Sequence, residues 1–148
     1  MKMYSKLTYL ENEEKYRNLF EKEYCQKEII TCHNIVVKFY ARHFDHAFFS
    51  RSNRRSNKKN VFDSNRAQRI LWIKQVLQDN NIPIYQGHNN KTKKSDKSRR
   101  VSLLTPDGYV VVIRMTGKGK AEFLTAFVIN DSSVIGKIRS NPLIYDPT

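Results

Sequence analysis

Two apolar runs constrain the fold of this chain more than anything else in it. YVVVIRM at 109–115 and EFLTAFVI at 122–129 are separated by Gly117-Lys118-Gly119. β-Branched and aromatic runs on either side of a glycine turn form a hairpin. The runs are long and apolar, so both strands are central in a sheet. The segment 101–104 leads into them through Thr105-Pro106-Asp107-Gly108, where proline presets one dihedral and glycine accepts a positive φ. The product is a β-meander.

The residues upstream supply its partners. Asn12 opens a helix with Glu13 and Glu14 in the first turn, favourable to the helix dipole. Tyr16, Leu19, Phe20 and Tyr24 then share one face, and the helix spans 11–27. EIITCHNIVVKF is β-rich, with a bend at His33 and Asn34. Asp63 or Ser64 caps a second helix, with Ala67, Ile70, Ile73 and Leu77 in a stripe flanked by Leu71 and Val76 and with Trp72 at its edge. It ends at Asn80 and Asn81, ahead of Pro83. Residues 130–139 read as a weak helix or loop, and the remainder as a tail. The fold class is α+β: an N-terminal helix and a second helix packed on a curved antiparallel sheet that ends in the β-meander. One domain spans 1–148, with a helical region at 1–28, a core at 29–129 and an extension at 130–148.

Charge points to the partner. The chain has 27 Lys and Arg against 14 Asp and Glu, a net +13, which favours an acidic polymer, nucleic acid ahead of anionic membrane. There is no apolar run of about 18 residues and no signal-peptide pattern, so the expected location is cytoplasmic, without membrane. Much of the charge is concentrated. SRSNRRSNKKN at 50–60 holds Arg51, Arg54, Arg55, Lys58 and Lys59 without an acid, and 86–98 with its flank adds Lys93, Lys94, Arg99 and Arg100. Both segments read as mobile cationic loops that grip phosphate. Lys118 and Lys120 join them at the rim of the hairpin.

Chemistry is densest at 35–49, IVVKFYARHFDHAFF. Ile35, Val37 and Phe39 alternate with Val36, Lys38 and Tyr40 as in a half-buried strand. Arg42, His43, Asp45 and His46 then arrive together, walled by Phe44, Phe48 and Phe49. A continuing strand puts His43 and Asp45 on one face and His46 on the other, whereas a helical turn sets His43 beside His46. No GxxxxGK[ST] loop is present. Cys25 and Cys32 lack CxxC spacing and read as two buried thiols. His43 and His46 have no carboxylate set to complete a metal site. No metal or cofactor is therefore expected.

Cleavage of RNA without metal asks for less: a base for the ribose 2′-OH, an acid for the leaving 5′ oxygen, and cationic donors for phosphate charge. Histidine, with an ordinary pKa of about 6.5, serves either proton role. Arg114 and Thr125 interrupt the two apolar strands, and their spacing across the hairpin is compatible with facing positions. Each candidate also has a structural account. The histidines can be hydrogen-bonded scaffold, Arg114 can pair with Glu122, Thr125 is a good strand former, and the phenylalanines fit a core better than a base-stacking platform.

FYARHFDHAFFS, the helix RAQRILWIKQVL, and GYVVVIRM with EFLTAFVI together resemble the phage branch of the barnase, EndoU, colicin and RelE-like superfamily. The likeness covers 35–129. It implies a small α+β fold and metal-free RNA cleavage by scattered His, Arg, Lys, Glu and Ser or Thr residues. Carried onto this sequence, it points to His46, His43, Arg114 and Thr125, and more weakly to Lys118. The basic insert after Phe49 departs from it. The resulting expectation is a small, basic, toxin-like endoribonuclease acting on tRNA or mRNA, with a neutralising protein as a further partner. The alternatives are a nucleic-acid-binding protein without catalysis and, explaining the charge least well, a phage-derived protein-binding inhibitor.

Overall fold

The computed structural model describes residues 4, 6–50, 61–89, 94–95, 99–129 and 131–147. Asn12 begins the first helix, α1 (Glu13–Phe20), by accepting the Lys15 N–H at 3.0 Å, which satisfies one of the orphan donors of a helix start. The helix expected over 11–27 is not α-helical throughout, because α1 passes into a π-turn at Glu21–Cys25. Tyr24 lies on that turn, buried, with its hydroxyl donating to the Ile70 carbonyl and accepting the Lys74 N–H.

Next, β1 (Ile29–Ile30) and β2 (Val36–Lys38) pair antiparallel. The bend expected at His33 and Asn34 is present, with Asn34 at a φ of 62°, a value asparagine tolerates better than most residues. The chain then enters α2 (Arg42–Ala47). β3 (Phe49–Ser50) and β4 (Val61–Phe62) form a two-stranded ribbon. The segment between them, with Arg51, Arg54, Arg55, Lys58 and Lys59, lies outside the described residues.

Asp63 caps α3 (Ser64–Ala67) by accepting the Arg66 N–H. The second helix, expected as one piece, is broken at 68–71 and resumes as α4 (Trp72–Leu77). Arg69 accounts for the break locally. Its N–H reaches back only to the Arg66 carbonyl, and its guanidinium takes the Asn65 carbonyl that a continuing helix would have used. The apolar stripe survives, since Ala67, Ile70, Ile73, Val76 and Leu77 are all buried.

The segment 86–98, expected to be loop, contains strand: β5 (Ile84–Gln86) runs into it, and β6 (His88–Asn89) pairs with β7 (Lys94–Ser95). Lys94 sits on β7, and Lys93 lies outside the described residues. The meander forms where expected, as β8 (Arg100–Leu104), β9 (Tyr109–Gly117) and β10 (Lys120–Val128), with Gly108 and Gly119 at positive φ in its turns. α5 (Ser132–Arg139) follows, capped by Asp131. The supposed tail contributes a last strand, β11 (Leu143–Tyr145), anchored by the Tyr145 hydroxyl on the Asn80 carbonyl.

Seven strands form the main sheet in the order β1-β2-β10-β9-β8-β5-β11. It is mostly antiparallel, as expected, with one parallel pairing, that of β2 with β10. That pairing delivers the chain leaving β2 to α2, which packs against β10. One sheet face is covered. Val111, Ile113, Phe123 and Ala126 meet Phe20, Phe39, Phe44 and Phe48 there, and the Phe20 ring touches those of Tyr24, Phe39, Phe44, Phe48 and Phe123. Phe44 and Phe48 are therefore core. The cysteines are not: Cys25 is half-buried and Cys32 exposed, because one ends the π-turn and the other lies in the β1–β2 turn.

Candidate functional site

On the other sheet face, β8, β9 and β10 set their side chains abreast in three rows. Arg100, Arg114 and Glu122 form the first row, Ser102, Val112 and Thr125 the second, and Leu104, Val110 and Phe127 the third. Rows two residues apart along a strand are separated by about 7 Å. A register shift between Phe123 and Thr125 creates this order. In unbroken register from the Glu122–Arg114 pair, Thr125 would sit opposite Val111 and face the core. The bulge turns it to the open face. Arg114 and Thr125 thus share a face, as expected, but occupy successive rows instead of facing positions.

Helix α2 borders the charged end. Phe44 and Ala47 are buried, which leaves Arg42, Asp45 and His46 on the exposed flank. The helical alternative for this segment is the one adopted, so His43 and His46 lie one turn apart. A cleft of about 710 Å³ opens between α2, the sheet and α5. Arg42, His43, His46, Arg100 and Lys137 line it, together with Glu122 and Thr125. Val110, Val112, Leu124, Phe127, Val134 and Ile138 supply its apolar wall, and Ser102 and Asn141 add polar groups.

His43 is buried, and its Nδ1 accepts the Tyr40 N–H at 3.1 Å. In the neutral ring the proton then sits on Nε2. Burial, joined by the charge of Arg42 and outweighing the opposite pull of Glu122, lowers the pKa of His43. A folded-state pKa below the unfolded value means that, as pH falls through about 6.5, the unfolded chain takes up a proton that the native chain refuses, so stability is lost on acidification. The melting temperature should therefore fall between about pH 7 and pH 5, and His43→Asn, whose amide oxygen can still accept the Tyr40 N–H, should flatten that fall. Parallel thermal melts of both proteins measure it. An identical slope would remove His43 as its source.

Glu122 is the residue that sequence reasoning undervalued. It is buried, with Oε1 accepting from Arg114 Nη2 at 2.5 Å and Oε2 lying 3.8 Å from Arg42 Nη2. The signal was available, because Glu122 is the sole acid within β9 and β10. Arg114 and Arg100 stand directly opposite each other, and like charges in facing positions repel. Thr125 Oγ1 is buried and finds no hydrogen-bond partner among the described residues.

No known family, curated protein or solved structure matches the chain. Function is therefore argued from the cleft itself. Of the residues expected to act, His43, His46, Thr125 and Arg100 line it, and Arg114 joins through Glu122. Lys118 and Lys120 are exposed at the hairpin tip, Arg99, at a φ of 64°, is exposed beside β8, and none of the three lines the cleft. Among the described residues no group of three or more His, Cys, Asp or Glu is placed to hold a metal ion, and no helix is long and apolar enough to cross a membrane. The cleft sets guanidinium groups beside two imidazoles and one carboxylate, an arrangement suited to holding an anion.

Proposed function

We propose that the protein is a small basic endoribonuclease that cleaves RNA by attack of the ribose 2′-OH on the adjacent phosphate. The observation that carries this reading is the charged row of Arg100, Arg114 and Glu122, of which Arg100 and Glu122 line one cleft with Arg42 and His46 of α2. The reaction needs three functions there. Glu122 takes the 2′-OH proton, His46 protonates the leaving 5′ oxygen, and the arginines meet the charge growing on the phosphate. His43 is assigned to holding α2 in place, since its Nδ1 is occupied by the Tyr40 N–H. Thr125 offers its hydroxyl beside the charged row. The assay is incubation of purified protein with labelled RNA in chelator, with 2′,3′-cyclic phosphate ends as the expected product. Intact RNA from pH 5 to 9, with and without divalent metal, would count against the enzyme.

One observation favours a second reading, in which the same surface binds nucleic acid without cutting it. Glu122 already has two arginine partners, as a purely structural carboxylate would. Both readings predict salt-dependent RNA binding. Each phosphate contact on a single strand adds about −0.7 to the log-log salt slope, so neutralising Arg51, Arg54 and Arg55 should flatten the slope by about 2. Titrations across a salt series measure this, and an unchanged slope would take the 50–60 segment off the binding surface.

A further inference from the structure

The charged row occupies only one end of the cleft. Beyond it come Ser102, Val112 and Thr125, and then Leu104, Val110 and Phe127. Over this third row lies α5, which has no buried residue of its own and packs on it with Val134, Ile135 and Ile138 half-exposed. Cleft volumes of about 300–1,000 Å³ are typical of sites for small organic ligands, and this one measures about 710 Å³, far more than a bare phosphate fills. An apolar wall continuous with a cationic end matches a ligand that is anionic at one end and apolar at the other.

Resting on the ribonuclease reading, we infer that the apolar end under α5 is a nucleobase pocket, so the substrate is an unpaired nucleotide with its base turned out of any stack. The rows then divide the ligand. Phosphate meets Arg100 and Arg114, and the ribose lies at the second row, where the unpartnered Thr125 hydroxyl offers a hydrogen bond. The base packs between Phe127 and Val110 of the sheet and Ile138 of α5, with Asn141 at its edge. The row spacing of about 7 Å suits this order. A base held in a duplex is stacked and paired on all its useful surfaces and cannot enter. Asn141 carries both a donor and an acceptor and is suited to choosing among bases.

The test is equilibrium binding of the full chain to three probes: inorganic phosphate, ribose 5-phosphate, and the four nucleoside 3′-monophosphates. Burying a base should make at least one nucleotide bind about ten-fold or more tightly than ribose phosphate. Ile138→Gln should erase that advantage and leave phosphate affinity unchanged. Asn141→Ala, whose backbone N–H still reaches the Ile138 carbonyl, should alter the ranking of the four nucleotides and serves if Ile138→Gln fails to fold. Equal affinity for nucleotide and sugar phosphate overturns the inference, as does loss of affinity for all three probes alike in a folded variant. RNA cleavage in chelator, run on the same preparation, separates the two claims. Cleavage without base preference in binding sinks the pocket alone, and base-selective binding without cleavage supports the pocket while sinking the ribonuclease.

Discussion

His46→Ala should lower RNA cleavage by about 100- to 10,000-fold, the usual cost of losing a general acid or base, while fold and RNA affinity stay near wild type. The exposed position of His46 on α2 makes the substitution mild for the fold, in contrast to His43, which is buried against the core. Its side chain lines the cleft beside the charged row, where the proposed reaction would place the leaving oxygen. An acid must be protonated to act, so the wild-type rate should decline on the alkaline side of its optimum, and His46→Ala should lose that limb. The comparison with His43→Asn is informative, because His43→Asn should change the pH dependence of stability and leave the alkaline limb in place. A His46→Ala protein cleaving within about three-fold of wild type would remove His46 from the chemistry, since an acid or base normally contributes far more.

How much of this was legible beforehand depends on the range of the interactions involved. The caps at Asn12 and Asp63, the turns at Gly108 and Gly119, and the two long strands are local, and they stand where the residues placed them. The parallel contact of β2 with β10 and the edge strand β11 depend on partners far along the chain, and short segments such as Leu143–Tyr145 carry no periodicity that announces pairing. The bulge near Leu124 was equally silent, although it decides which face Thr125 occupies. At the site, residue types were readable and their relations were not. His43 and His46 looked equivalent in sequence. Burial and the Tyr40 N–H set His43 apart from the exposed His46. Glu122 looked like a mere partner for Arg114 until Arg42 and His46 were found around the same cleft.

Glu122 therefore decides between enzyme and binder, and Glu122→Gln should lower cleavage by about 100- to 10,000-fold. The amide keeps the shape of the side chain and an oxygen for Arg114, but it cannot take a proton from a 2′-OH. Arg114→Ala should act by a different route, costing rate through lost stabilisation of phosphate charge. It also leaves a buried carboxylate with Arg42, 3.8 Å away, as its remaining ion-pair partner among the described residues. Because the Arg114 side chain is 45% exposed, water offsets part of that loss, and about 1 kcal/mol of stability is expected to go. In the double variant Arg114→Ala with Glu122→Gln the uncompensated charge is gone, so the two stability costs should not add. Thermal or urea unfolding of the four proteins gives the coupling, and cleavage of labelled RNA gives the rates. If Glu122→Gln loses stability yet cleaves as wild type does, the carboxylate only orders the arginines. The proton acceptor must then be sought elsewhere in the cleft.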